Sequence, residues 1–333
     1  MFYKLSMSRL GSVAALTAAM AVSAPAFAQN NHSDWPSRTV SYVVPFTPGG
    51  STDVVGRTIT QHLSSALGQS FVVENKPGAA GAIGATYVAR AKPDGYTLFG
   101  GTISTHAINA SLYKNLSYDP VKDFEPVTLV ATLPNVLIVN PNLGIESVQD
   151  LVEYLKREPK ARNFASSGAG TSTHLAGELF ADLIDVPLTH IPYKGTPPAM
   201  TDVAAGNVTF MFDQLTAALP LVRDGKLKLL AVTTPERIGP APDLPTMKEA
   251  GIEDFSMASW QAIYAPKGTP RPIVERLHTE IAKVLELPEV RKLFTETLGM
   301  QIVAGGPDVL ADHMSKEIPR WAELVKKSGA SVD

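Results

Sequence analysis

The sequence has 333 residues, 44% hydrophobic and 18% charged, with 29 Lys+Arg against 32 Asp+Glu for a net charge of −3, and no cysteine. That length suits about two domains, and the scattered, balanced charge excludes the concentrated basic face of a nucleic-acid binder. The missing cysteine excludes disulfide scaffolds, thiolate nucleophiles, Cys-ligated zinc or iron–sulfur sites, and a lipoprotein acylated at its N-terminus.

Residues 1–28 read as an export signal. Lys4 and Arg9 precede an apolar run from Leu10 to Val22, Pro25 breaks it, and Ala26-Phe27-Ala28 supplies a small-x-small cleavage site before Gln29. The run is shorter than the ~20 residues a membrane span needs. Cleavage removes 28 residues and two positive charges, leaving 305 residues at −5. The expected product is a periplasmic protein without a lipid anchor.

Thr39–Phe46 is β-rich and apolar, and it runs into a Pro48-Gly49-Gly50 turn. Val55, Ile59, Leu63 and Leu67 then recur every fourth residue, predicting a helix that starts near Ser51 or Thr52. A strand at Phe71–Glu74, a small-residue helix ending near Arg90, and a strand at Tyr96–Phe99 continue the alternation, which predicts an α/β domain with a parallel sheet. Val127–Ala131 and Val136–Val139 read as two stretches joined through Thr132-Leu133-Pro134-Asn135, a crossing into a second domain. That domain repeats the pattern: helix Val148–Arg157, strand Phe164–Ser166, helix Leu175–Ile184, strand Leu188–Ile191, helix Ala199–Ala205, strand Thr209–Phe212, helix Leu215–Asp224 and strand Leu227–Thr233. After a Pro-rich stretch, the last third carries a strand at Ala258–Tyr264 and helices at Pro272–Leu285, Glu289–Leu298 and Val309–Lys327, and it completes the first domain. The boundaries expected are 29–132 with 232–333 for one lobe and 133–231 for the other. A cleft then lies between the lobes, where strand ends and helix starts converge.

Four strand-to-helix connections carry the candidate chemistry. In PFTPGGSTD at 45–53, the glycines allow close backbone approach, and the unpaired N–H groups of the following helix favour an anion. The same residues also fit a simple capped turn. The hydroxylic loop from Ser166 to His174 repeats the design in the second domain, and Gly101–His106 is a third such loop. Asp213, after a fourth strand, suits a ligand's amino or hydroxyl group, the orientation of another side chain, or a helix N-cap. Trp260 could wall a cleft, although core packing is the default for it. The glycines at 78, 81 and 84 do not make a dinucleotide fingerprint. No G-x-S-x-G elbow occurs, the S-x-x-K at Ser111–Lys114 lacks its partner motifs, and the seven histidines show no metal-ligand spacing.

Together, PFTPGGSTD at 45–53, ENKPGAAGAIG at 74–84, AKPDGYTL at 91–98, SSGAGT at 166–171, HLAGELF at 174–180, PYKG at 192–195, MFD at 211–213, LPT at 244–246 and APKGTP at 265–270 strongly resemble the Bug-type solute receptors. These are the extracytoplasmic substrate-binding proteins of tripartite tricarboxylate transporters. The resemblance covers essentially the whole mature chain. It implies a two-lobed, type II-like periplasmic binding fold with two crossover hinge segments, closing on a small carboxylic acid. It implies no catalysis, no cofactor and no metal, a monomer, and integral membrane components of a tripartite transporter as partners. A ligand carboxylate is expected against Phe46, Thr47, Gly49, Gly50 and Ser51, with Asp53 supporting the turn. The far end is expected against Ser166, Ser167, Gly170, Thr171, His174 and Asp213, with Ser104, Thr105 and His106 bordering the cleft. Ala80 stands where the family often has glycine, an exchange expected to matter little. The rival readings are a sensory module for a membrane receptor and a secreted hydrolase using Ser104, Ser111 or Ser167.

Overall fold

The computed structural model describes residues 34–328, so the export signal expected over 1–28 lies outside the described residues. The chain opens with β1 (Val40–Val44), α1 (Ser51–Leu67), β2 (Phe71–Asn75), α2 (Ala82–Ala89) and β3 (Thr97–Thr102). β2 and β3 flank β1, both parallel to it. The fourfold apolar spacing of α1 buries Val55, Ile59 and Leu63 on the sheet, and Gly68 ends the helix at φ +66.

A π-helical turn at Ser104–Ile108 leads through α3 (Asn109–Leu112) to β4 (Phe124–Val139), a single strand of 16 residues. The connector expected at Thr132–Asn135 is therefore part of a continuous strand. Phe124–Pro134 pairs antiparallel with β9 (Ala258–Pro266), and Asn135–Val139 pairs antiparallel with β7 (Phe210–Gln214). Pro134 sits at the changeover. It has no N–H to give either neighbour, and this is where one ladder stops and the other starts.

The second sheet follows with α4 (Val148–Arg157), β5 (Asn163–Ser166), α5 (Ser172–Ile184), β6 (Thr189–Pro192), α6 (Thr196–Ala204), β7, α7 (Leu215–Arg223) and β8 (Lys228–Val232). β6, β5 and β7 run parallel, whereas β7 and β8 are antiparallel to β4. The strand order β2-β1-β3-β9-β4-β7-β5-β6 is thus parallel at both flanks and antiparallel in the middle, a correction to the parallel sheets expected. The antiparallel members are the strands that carry the chain between the sheets.

After β9 come α8 (Arg271–Glu286), the short α9 (Pro288–Arg291) with a π-helical turn at Lys292–Thr297, β10 (Gln301–Gly305) and α10 (Pro307–Ser328). The helix expected over Glu289–Leu298 is thus divided. β10 was not expected, because only Ile302 and Val303 mark it as apolar; it pairs with β4 at Leu129–Thr132. α10 packs against both β4 and α5, and its Trp321 is fully buried in a core shared with Phe124, Phe164 and Phe210.

Ala79 and Ala80 adopt φ +48 and +49, the left-handed region in which a Cβ is strained. The expectation that alanine at 80 matters little is corrected: this is where a glycine relieves strain. Ala80→Gly is expected to stabilise the fold by about 0.5–1 kcal/mol after glycine's added chain entropy is offset. That is a rise of about 1–3 °C by scanning calorimetry. An unchanged or lower melting temperature refutes the strain.

Candidate ligand-binding site

β1 ends in a turn that delivers the chain to α1 with an unusual helix start. Gly49 is at φ +88, which the turn requires, and its N–H donates to Asp53 Oδ2 at 3.0 Å. Arg57 Nε donates to the same oxygen at 2.9 Å, while Asn75 Nδ2 donates to Asp53 Oδ1 at 2.9 Å and to the Phe46 carbonyl at 3.0 Å. Burial alone would raise the Asp53 pKa, but these donors hold it below the ordinary carboxylate range. The turn is therefore held wherever Asp53 is ionised. With Asp53 occupied, the N-cap of α1 is Gly50, extended at φ −77 and ψ 170, and no side chain caps the helix. Its first N–H groups and the positive end of its dipole face a cavity.

That cavity is a narrow slot of about 30 Å³, walled on one side by Phe46, Thr47, Gly50, Ser51, Thr52 and the loop Thr102–Ser104. The facing wall contains Ser167, Ser172 and Thr196, and Trp260 closes one side. Across the floor runs a relay of residues from β9, β7 and the middle of β4. Gln261 Nε2 donates to Ser51 Oγ and Thr52 Oγ1 at 3.2 and 3.1 Å. Ser51 Oγ donates to Gln214 Oε1 at 3.2 Å, Gln214 Nε2 to Ser259 Oγ at 3.1 Å, and Ser259 Oγ to Asn135 Oδ1 at 3.0 Å. Beside this relay, in which only Asn135 Nδ2 is left without a partner, the hydroxyls of Thr47 and Thr102 are buried and have no hydrogen-bond partner. Two unpaired hydroxyls beside an uncapped helix start make a donor-rich pocket for an anion.

The facing loop is organised differently. Thr171 caps α5 through the His174 N–H. Ser167 N–H donates to Thr173 Oγ1, Gly168 N–H to Ser166 Oγ, Gly170 N–H to His174 Nδ1, and Ser172 N–H to Ser104 Oγ across the slot. Most of its backbone donors are thus used internally or to join the two walls.

Of the residues expected at the site, Phe46, Thr47, Gly50, Ser51, Ser104 and Ser167 line the slot. Gly49 turns the backbone behind it. Thr105 folds back onto Thr102 and His106. His106 is fully buried, stacked on Tyr264 at 3.8 Å, and burial pushes its pKa down to about 3. Ser166 bonds His190 Nε2 at 2.6 Å, and His190 in turn stacks on His174 at 3.8 Å. Gly170 and Thr171 build the α5 start. Asp213 does not cap α7, whose N-cap is Gln214; it sits behind the slot and accepts from Thr196 Oγ1 at 2.6 Å. Thr196, Gln214, Ser259 and Gln261 were not expected at the site. They stand on other elements, and only the fold brings the two glutamines to Ser51, 163 and 210 residues away, and Ser259 to Gln214.

A model of the tripartite tricarboxylate transporter family receptor matches residues 55–330. This chain belongs to that receptor family. BugT of Bordetella pertussis is 35% identical over 330 residues, spanning 98% of this chain and 100% of BugT. A protein from R. palustris solved with adipate is 41% identical with a TM-score of 0.87, covering 90% of this chain and 99% of its own. MatC from Rhodopseudomonas palustris, solved with bound malate, is 37% identical with a TM-score of 0.83, covering 87% and 100%. The Bug-type resemblance is thereby established, and the two linked sheets are the two-lobed fold of this solute-binding receptor family.

Proposed function

We propose that the protein is a periplasmic receptor that binds a small carboxylic acid between its two lobes and delivers it to the membrane components of a tripartite transporter. One lobe comprises 34–132 with 232–328, the other 133–231, and β4 is one of the two hinges. The observation that carries the reading is the uncapped start of α1 beside the unpartnered Thr47 and Thr102 hydroxyls. Neutral donors hold a carboxylate there without a buried salt bridge, which favours reversible capture. The adipate and malate of the two solved relatives are carboxylic acids of suitable size. The slot is narrow, so the walls separate to admit a ligand and close over it, each contributing contacts that favour the closed state. Ser104 and Ser167 are bonded to the Ser172 N–H and to Thr173 rather than to an imidazole, which weighs against a hydrolase built on either serine.

A thermal-shift screen of the exported protein against about a hundred carboxylic acids tests this directly. A true ligand at 100 times its Kd adds about 2.7 kcal/mol of apparent stability. Stabilisation by sugars or cations and by no acid would overturn the reading. Export-dependent acid uptake that persists after the membrane components are deleted would overturn the transport role.

A further inference from the structure

The two walls of the slot are chemically unlike. On the wall facing α1, Thr196 is the first residue of α6 and lines the slot. Its hydroxyl donates to Asp213 Oδ2 at 2.6 Å, and the other Asp213 oxygen accepts the Gln214 N–H at 2.7 Å. A hydroxyl has one proton and two lone pairs, so a Thr196 that donates to Asp213 presents only lone pairs to the slot. Pro197 and Pro198 follow it and carry no N–H, so the start of α6 offers few donors of its own. In the neighbouring α5 loop the N–H groups of Ser167, Gly168, Gly170 and Ser172 are engaged elsewhere.

We propose that Thr196 is a specificity-determining residue, held as a hydrogen-bond acceptor by Asp213, so that the receptor prefers acids bearing a hydroxyl at the end remote from the bound carboxylate over acids bearing a second bare carboxylate there. This rests on the carboxylic-acid reading above. A diacid is accommodated when Asp213 takes up a proton: Asp213 then donates to Thr196 Oγ1, and the Thr196 proton turns into the slot. Asp213 is fully buried, and burial pushes its pKa up to about 7 against the opposing bonds from Thr196 and Gln214. No charged side chain pairs with it among the described residues. On α5, His174 faces Glu178 and Asp182 is exposed; on α6, Asp202 bonds Tyr193; Arg223 of α7 is exposed; the paired stretches of β4 and β5 carry no ionisable group. Diacid affinity therefore falls about tenfold per pH unit above the Asp213 pKa, while hydroxy-acid affinity does not.

Calorimetry with the exported protein at pH 5.5 and 8.5 tests this with 6-hydroxyhexanoate against adipate, 4-hydroxybutyrate against succinate, and hexanoate as a control without a remote polar group. At pH 8.5 the hydroxy acid is expected to bind at least tenfold more tightly than its matched diacid, and the ratio is expected to narrow at least tenfold at pH 5.5. Thr196→Val removes both the preference and its pH dependence while hexanoate binding persists, and Thr196→Ser retains them. Asp213→Asn removes the pH dependence. A merely structural role would weaken all five acids alike. A diacid preference at pH 8.5, or a ratio indifferent to pH and to Thr196→Val, overturns the assignment while the receptor reading stands. Binding of none of the five acids at either pH overturns the receptor reading, and this proposal with it.

Discussion

Alanine at Gly195 is expected to hold the slot open. Gly195 adopts φ +153 and ψ 175, a region that essentially only glycine occupies. A Cβ built there falls 2.1 Å from Thr47 Oγ1 on the opposite wall. The loop at 195 and the turn at 47 are thus in contact across the slot, and under the proposed closure a methyl group acts as a wedge between them. Overpacking of this kind costs about 1–3 kcal/mol, or a loss of roughly 5- to 150-fold in affinity for whichever acid binds the wild type. Small-angle scattering should show contraction on adding that acid to the wild type and little in Gly195→Ala. Thr47→Ala removes the clashing oxygen, so the double variant should recover part of the contraction, a coupling between the two sites. Full contraction and unchanged affinity in the single variant would show that this contact does not limit closure.

Valine at Gly50 should act on binding rather than on folding. Gly50 has a backbone open to any residue, and the nearest atom to an added Cβ is the Thr47 carbonyl oxygen at 3.8 Å. The fold therefore accepts the substitution, at a capping cost of about 1 kcal/mol or less. The side chain, however, enters the slot where the α1 N–H groups converge, and acid affinity is expected to fall more than 100-fold. Gly50→Ser separates the two effects. Its hydroxyl caps α1, which favours stability by a few tenths of a kcal/mol, and it competes with the ligand for the same N–H groups. The melting temperature should rise while affinity falls. Calorimetric affinity unchanged in Gly50→Val would place the carboxylate elsewhere.

The sequence was most legible where a single segment carries its own signal. The PFTPGGSTD turn and the fourfold spacing of α1 locate half of the slot, because strand end, glycine pair and helix start are contiguous. The same grammar at Ser166–His174 correctly marks a strand-to-helix loop. It does not show that Thr173, His174 and Ser166 take up the loop's own N–H groups, since that depends on side-chain directions. Thr132–Asn135 looked like a connector because proline interrupts the apolar pattern. The fold tolerates Pro134 inside β4 because the two ladders change over there. Gln214, Ser259 and Gln261 left no local trace at all. A polar residue in a strand has the same appearance whether it meets solvent or, as the two glutamines do, a serine from a distant helix start.

The sharing of β4 by both sheets has a practical consequence for anyone converting this receptor into a genetically encoded biosensor. The molecule has two seams of unlike toughness. At the first, a reporter domain spliced into 132–136 would cut a strand hydrogen-bonded on both sides of the changeover and uncouple the sheets it was meant to monitor. At the second, between β8 and β9, the Pro-rich stretch at 235–243 is largely exposed and joins the sheets with few strand pairings. A fluorescent protein inserted there would sit at the second of the proposed hinges without cutting a paired strand.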